Sequence, residues 1–309
     1  MSEQQGFSSR RLVFVVAAAA SLLLLASLLA VIFGQTRESA LAQSKASLDG
    51  KAYVLNRQIA QTFAKVDVVL RLVARDYPRF SALPAAEANA ELKALLDTIP
   101  ESQSLRIADA TGRFRFDASG TLPQVDIADR AYFRQHQSDP GSGLVFSEPI
   151  FARITNNWVV TLSRRLNNPD GSHAGHVQAA INAGDFNRLF AGINRLAAEE
   201  IIMLDREKRI VAHTATESMV LGQPYSDLPS PGADDDKLFS LAAVGDYPFD
   251  ILVISNRDEA LKTWRERIRA YGVSIVFLML VLVILLVFWQ RNYNLACTTA
   301  SEMAQAFDD

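Results

Sequence analysis

Cysteine is almost missing: the only one among 309 residues is Cys297. One thiol gives no disulfide framework and fits any compartment. An excess of either charge is missing too. Lys+Arg number 31 against 34 Asp+Glu, a net charge of −3, so nothing draws the whole chain to nucleic acid or an anionic membrane. No nucleophile elbow, phosphate-cradling glycine loop or zinc-spaced Cys/His set is present. His173 and His176 in "DGSHAGH" are three apart, which on a regular strand puts them on opposite faces and keeps them from sharing an ion. His136 and His213 stand alone, and Asp234, Asp235 and Asp236 read as a solvated loop rather than a cation site. No catalytic residue, metal or cofactor is expected.

Charge is also missing locally. Leu12 to Phe33 and Tyr271 to Trp289 run for 22 and 19 residues without a charged side chain. At about 1.5 Å per residue either stretch crosses a hydrocarbon core of about 30 Å. Tyr271, Phe288 and Trp289 mark the ends of the second stretch, as interfacial aromatics do. A cleaved signal peptide with its site at "ALAQ" is the rival reading of the first. Its apolar run exceeds the usual length of about 7–15 residues, which favours an uncleaved anchor. Two spans put both termini on one side and residues 34–270 on the other. The flanking Lys and Arg residues do not orient them, because long loops translocate largely regardless of charge.

Between the spans, Gln35 to Tyr77 reads as one long helix. Leu48, Ala52, Leu55 and Ile59 form one apolar seam; Ile59, Phe63, Val66, Leu70, Val73 and Tyr77 form a second, joined by a stutter. Two uses fit: a dimer helix near the membrane that becomes a packing helix farther out, or packing on its own domain throughout. "SLRIADATGRFRFD" is a hairpin, "DIADRAYFRQHQ" is helical, and "GLVFSEPIFA", "NNWVVTLSRRLNN" and "AGHVQAAINA" are strands. A smaller unit repeats this grammar: the hairpin "EIIMLDREKRIVAHT", then "KLFSLAAVG" and "YPFDILVISN". "RDEALKTWRERIRA" is a helix able to run unbroken into the second span.

"DRAYFRQHQ" fits either an amphipathic helix or a ligand pocket. On a helix, Arg130 and Arg134 share a face beside Phe133, and Asp129, Tyr132 and His136 share another. In "NNWVVTLSRRL", Trp158, Val160, Leu162 and Arg164 face one way, and Val159, Thr161, Ser163 and Arg165 the other. The second set suits either a polar pocket or a solvated outer face.

"DRAYF", "VFSEPIF", "NNWVVTLSRRL", "PDGSHAGHVQAAI" and "FNRLF", in this order and spacing, resemble the double Cache sensors of bacterial diguanylate cyclases and histidine kinases. The resemblance covers about residues 35–289. It implies an α+β fold: a long N-terminal helix with two tandem PAS-like antiparallel-sheet units, flanked by two transmembrane helices. The expected organisation is a cytoplasmic N-terminus (1–11), a first span (12–33), a long signalling and dimer helix (34–79), a membrane-distal ligand unit (80–196), a membrane-proximal unit (197–256), a connecting helix (257–270), a second span (271–289) and a cytoplasmic stub (290–309). The middle would be periplasmic in a two-pass inner-membrane protein.

Arg130 and Tyr132 match positions that hold a ligand carboxylate in amino-acid sensors of this family. The chain departs where those sensors carry Trp and Tyr, here Tyr132 and Phe133, and where they carry acids for the ligand ammonium, here "PIFA" and "VQAAI". A lysine of dicarboxylate sensors is absent near Ala180. The expected ligand is small, polar, and anionic or neutral. The expected site is Arg130, Tyr132, Phe133, His136, Ser147, Trp158, Thr161 and Ser163. A homodimer and a cytoplasmic output, in cis beyond Asp309 or in trans, are the expected partners, with no nucleic acid. An accessory ligand-binding membrane subunit, and more remotely a membrane-anchored hydrolase, are the alternatives.

Overall fold

The computed structural model describes residues 2–193, 199–214, 219–229 and 236–308; the side chains of 2–23, 25, 26, 28, 282, 286, 289, 290 and 293–308 lie outside that description. Asp234 and Asp235 of the acidic loop, most side chains of the first apolar stretch and the thiol of Cys297 therefore fall outside it. The chain divides into two units, Met1–Ala42 with Asp258–Asp309, and Gln43–Arg257.

The seam residues build helix α1 (Ser2–Arg75) and its continuation α2 (Tyr77–Ala82), followed by α3 (Ala85–Leu96). Then come β1 (Ser104–Asp109), β2 (Phe114–Asp117), α4 (Ala131–Ser138), β3 (Leu144–Phe146), β4 (Ile150–Phe151), β5 (Trp158–Asn167), β6 (His173–Asn182) and α5 (Ala183–Ile193). The smaller unit holds β7 (Glu199–Asp205), β8 (Ile210–His213), β9 (Lys237–Ala243) and β10 (Phe249–Asn256). Helices α6 (Arg257–Ala260) and α7 (Lys262–Asp308) follow; the connecting helix is interrupted at Leu261 and from Lys262 runs unbroken into the second apolar stretch. Leu261 is buried there, 7 % exposed, while its neighbours continue as helix.

Both sheets are antiparallel. The larger runs β2-β1-β6-β5-β3, with β4 also paired to β5; the smaller runs β8-β7-β10-β9. Strand for strand, the second repeats the first four positions of the first. Even the irregularities correspond: the hairpin register shifts at Ile107/Ala108 in one and at Met203/Leu204 in the other.

Alternation along the strands gives each sheet an inner and an outer face. The inner residues Leu105, Ile107, Leu162 and Val177 of one sheet, and Ile201, Met203, Ile251 and Val253 of the other, join the α1 seam in one core. Leu48, Ala52, Leu55, Ile59, Phe63, Val66, Leu70 and Val73 are all at most 1 % exposed. The seam is thus used up within the chain's own core and is not available as a dimer seam; packing on its own domain is the use observed. Phe63 is the hub. Its ring lies 5.0 Å from Phe146 of the larger unit and 5.3 Å from both Tyr247 and Phe249 of the smaller.

In the other unit, Trp264 Nε1 donates to Thr36 Oγ1 at 3.2 Å. Among the described residues, one stretch is long and apolar enough to cross a membrane, Lys262–Leu285, with a mean hydropathy of 2.5 and none of it buried.

Candidate functional site

The outer face of the larger sheet carries polar groups where an ordinary core would be aliphatic. Arg106 of β1, Thr161 and Ser163 of β5, and His176 and Gln178 of β6 are all buried there. The loop before α4, α4 itself and the segment following β4 cover them. Val125 and Ile127 of the loop, Ile150 of β4 and Ile154 of the segment after it close over the sheet. Asp129 and Arg153 fasten the two covers with an ion pair of 2.7 Å.

Beneath this cover lies a cavity of about 40 Å³, lined by Arg106, Arg130, Tyr132, Thr161 and Gln178 together with the apolar cover. Arg130 is not helical: its backbone is extended (φ −77°, ψ 139°) at the start of α4, so it does not share a helix face with Arg134. Its guanidinium is half-buried and makes no hydrogen bond among the described residues. Tyr132 is 5 % exposed, and burial pushes its phenol up to about 12, so it stays a neutral hydrogen-bonding group.

Of the expected site residues, the structure brings Arg130, Tyr132 and Thr161 onto the cavity. Phe133, His136 and Ser163 form a packed cluster beside it. His136 bridges Ser142 Oγ (2.8 Å) and Ser163 Oγ (2.9 Å) and stacks on His176 with ring centroids 5.8 Å apart. Ser147 braces β3 against β5: its Oγ accepts the Thr161 N–H at 2.9 Å and donates to Glu148 O at 2.7 Å. Trp158 is not brought to the cavity. Its indole meets Phe151, centroid to centroid 5.9 Å, and lies over Gly222 of the smaller unit. Trp158 alternates with Val159 and Thr161, which line the cavity, so its side chain leaves β5 on the other face.

The histidines also depart from expectation. His136 is not alone, and His173 and His176 are not on opposite faces: both rings contact Phe133, at 5.7 and 5.5 Å. The cause is a bulge. The pairing of β5 with β6 skips from Leu166↔Gly175 to Asn167↔His173, and the extra residue resets the alternation. Gly175 (φ 131°) permits it, since an added Cβ would stand 1.9 Å from Ala108 O. Burial, reinforced by His176 and His173, lowers His136 to about 3; burial lowers His176 to about 4; burial followed by Arg165 lowers His173. All three are neutral at neutral pH. No group of metal-ligating side chains is assembled among the described residues.

Arg106 and Gln178 are site residues that the sequence reading missed. "SLRIAD" shows Arg106 on the face opposite Leu105 and Ile107, and that alternation, with Asp117 on the partner strand, was the available signal. A wider cleft of about 980 Å³, between α1, the β3–β4 segment and the smaller unit, shares Arg130, Tyr132 and Ile150 as a wall with the cavity. Much of its charge is internally matched: Asp67 holds Arg71 and Arg164, and Arg209 meets Asp205 and Glu148. The smaller cavity is therefore the better candidate.

Two antiparallel sheets in tandem on one long helix, with a polar cavity in the first, make up a double Cache architecture. The chain belongs to the Cache domain family (dCache_1), which it matches over residues 34–264. It is similar to the solved extracellular domain of rpHK1S-Z16, described as a histidine kinase: 25% identity, TM-score 0.61, covering 72% of this chain and 98% of that one. The sensory domain of the Campylobacter jejuni chemoreceptor Tlp3 with isoleucine bound shares the fold at 14% identity and TM-score 0.54, covering 73% and 97%. So does the ligand-binding domain of the Pseudomonas fluorescens chemoreceptor CtaA with L-isoleucine, at 14% and 0.57, covering 74% and 98%. No curated protein matches the chain in sequence.

Proposed function

We propose that this chain is the sensory part of a two-pass bacterial membrane receptor. It binds a small polar ligand in the distal cavity on the periplasmic side. The described polar groups of that cavity carry this reading: Arg130, Arg106, Thr161 and Gln178 converge under a two-piece cover and retain unused hydrogen-bonding capacity. Occupancy shifts the balance between two arrangements of the chain, by as much as the ligand's affinities for them differ. Helices α1 and α7 carry that shift to a cytoplasmic output of the kinase or diguanylate cyclase kind, in cis or in trans. A homodimer belongs to the proposal, with its contact on faces of α1 other than the buried seam. The extracellular origin of the rpHK1S-Z16 domain and the apolar stretch in Lys262–Leu285 support the membrane arrangement.

The test is a thermal-shift screen of the full chain in lipid nanodiscs against amino acids, mono- and dicarboxylates and sugars. A ligand that raises the melting temperature of the wild type is expected to lose that effect in Arg130→Ala. Equal stabilisation of Arg130→Ala would show that the site is elsewhere.

A further inference from the structure

Arg106 is a buried cation whose bonding is incomplete. It is 8 % exposed, and its Nε donates to Asp117 Oδ2 at 2.5 Å. Its guanidinium lies over Phe114, 5.7 Å from Cζ to the ring centroid. Asp117 is 1 % exposed, and its other oxygen accepts the Ser119 N–H at 2.8 Å. This pairing fixes the guanidinium in place without using it up: both Nη atoms lack a hydrogen-bond partner among the described residues. Buried cationic donors are costly to leave unmatched, and a planar pair of N–H groups matches a carboxylate in two-point fashion.

The rest of the cavity restricts what can supply that match. Among the described residues Thr161 Oγ1 and the amide nitrogen of Gln178 are also without partners; Gln178 Oε1 is occupied by His176 Nε2 at 2.9 Å. Among the described residues, three arginines and no carboxylate line the space. An anion is matched there, whereas the ammonium of an amino acid finds no counter-charge. Ile127, Ile150, Ile154 and Val159 supply an apolar wall for a short alkyl group. The volume of about 40 Å³ sets the size. A water needs about 10–15 Å³ on this measure, so about three or four water-sized groups fit.

Resting on the distal-cavity reading above, we infer that the ligand is a short monocarboxylate of acetate or propionate size, anchored by Arg106, and that α-amino acids are rejected.

The experiment is isothermal titration of the full chain in nanodiscs with acetate, propionate, L-alanine (propionate with an added α-amino group) and L-isoleucine. Propionate or acetate is expected to bind, and alanine about tenfold more weakly or not at all. Arg106→Lys keeps a cation beside Asp117 but loses the planar fork, and is expected to weaken the carboxylate by about tenfold or more. Should that variant fail to fold, Thr161→Val decides, with an expected loss of about threefold to tenfold. Alanine or isoleucine binding as tightly as propionate, lost in Arg130→Ala and kept in Arg106→Lys, overturns this inference while leaving the distal site standing. Binding by none of the four overturns it as well, and the wider thermal-shift screen then judges the site itself.

Discussion

The two sheet units share a strand order and a hairpin irregularity, yet their outer faces are opposites. On β1 and β6 the outward positions hold Arg106, His176 and Gln178; on β7 and β10 they hold Ile202, Leu204, Leu252 and Ile254. The aliphatic set is covered by Met219, Leu221, Tyr225 and Phe239. The polar set is covered by a loop and a helix that leave a cavity and unmatched donors. One frame therefore supports a filled face and a receptive one, and the outward residues decide which. Burying polar groups without full partners sacrifices stability, and the larger unit does so around its cavity.

The comparison can be broken most severely at the ring both units share. Phe63→Ala removes contacts to Phe146, Tyr247 and Phe249 together, and should lower stability by about 3–5 kcal/mol. Urea unfolding followed by circular dichroism checks it; a loss confined to one unit would contradict the shared hub.

Acid should separate the units. The lowered values of His136, His173 and His176 mean that the unfolded chain, titrating near 6.5, binds protons that the folded chain refuses. Stability from these groups is present above about pH 6.5 and is lost as pH falls toward about 4 for His176 and about 3 for His136. Arg165, whose Nη1 bonds the His136 carbonyl, adds like charge to the protonated state. For His176 alone the loss between pH 7 and pH 4 is on the order of 3 kcal/mol. Urea titrations read by circular dichroism should show it, with a shallower slope in His176→Gln; a flat profile from pH 7 to 4 would refute it.

The smallest effect tests the joint between the units. Gly222 has φ 80°, and an added Cβ would stand 2.8 Å from Trp158 Cζ3. Gly222→Ala should cost about 1–2 kcal/mol from backbone strain plus the clash. Gly120→Ala, at φ 76° with nothing within 4 Å, isolates the strain alone. Equal losses in the two variants would mean that Trp158 yields freely.

Much of this fold was legible because period-two and helical spacing are local. The hairpins, the α1 seam and the half-size repetition follow from them directly. What escaped was set by pairing across distance. Arg106 reads as a solvent-facing strand residue until the covering loop and Asp117 close over it. The meeting of His173 with His176 depends on a bulge that the spacing cannot announce. Trp158 was counted with the site although alternation sets it on the face opposite Thr161 and Ser163, and it turns to a neighbour more than sixty residues away in sequence.

Back-to-back alternation has a consequence for how such a chain can change over generations. Arg106, Thr161 and Gln178 point outward from the same strands whose inward residues Leu105, Leu162 and Val177 belong to the common core. Preference for a new molecule can thus be rewritten on one side of a strand without disturbing the side that meets Phe63. Inheritance of the scaffold and innovation in what it recognises occupy alternate letters of the same few words.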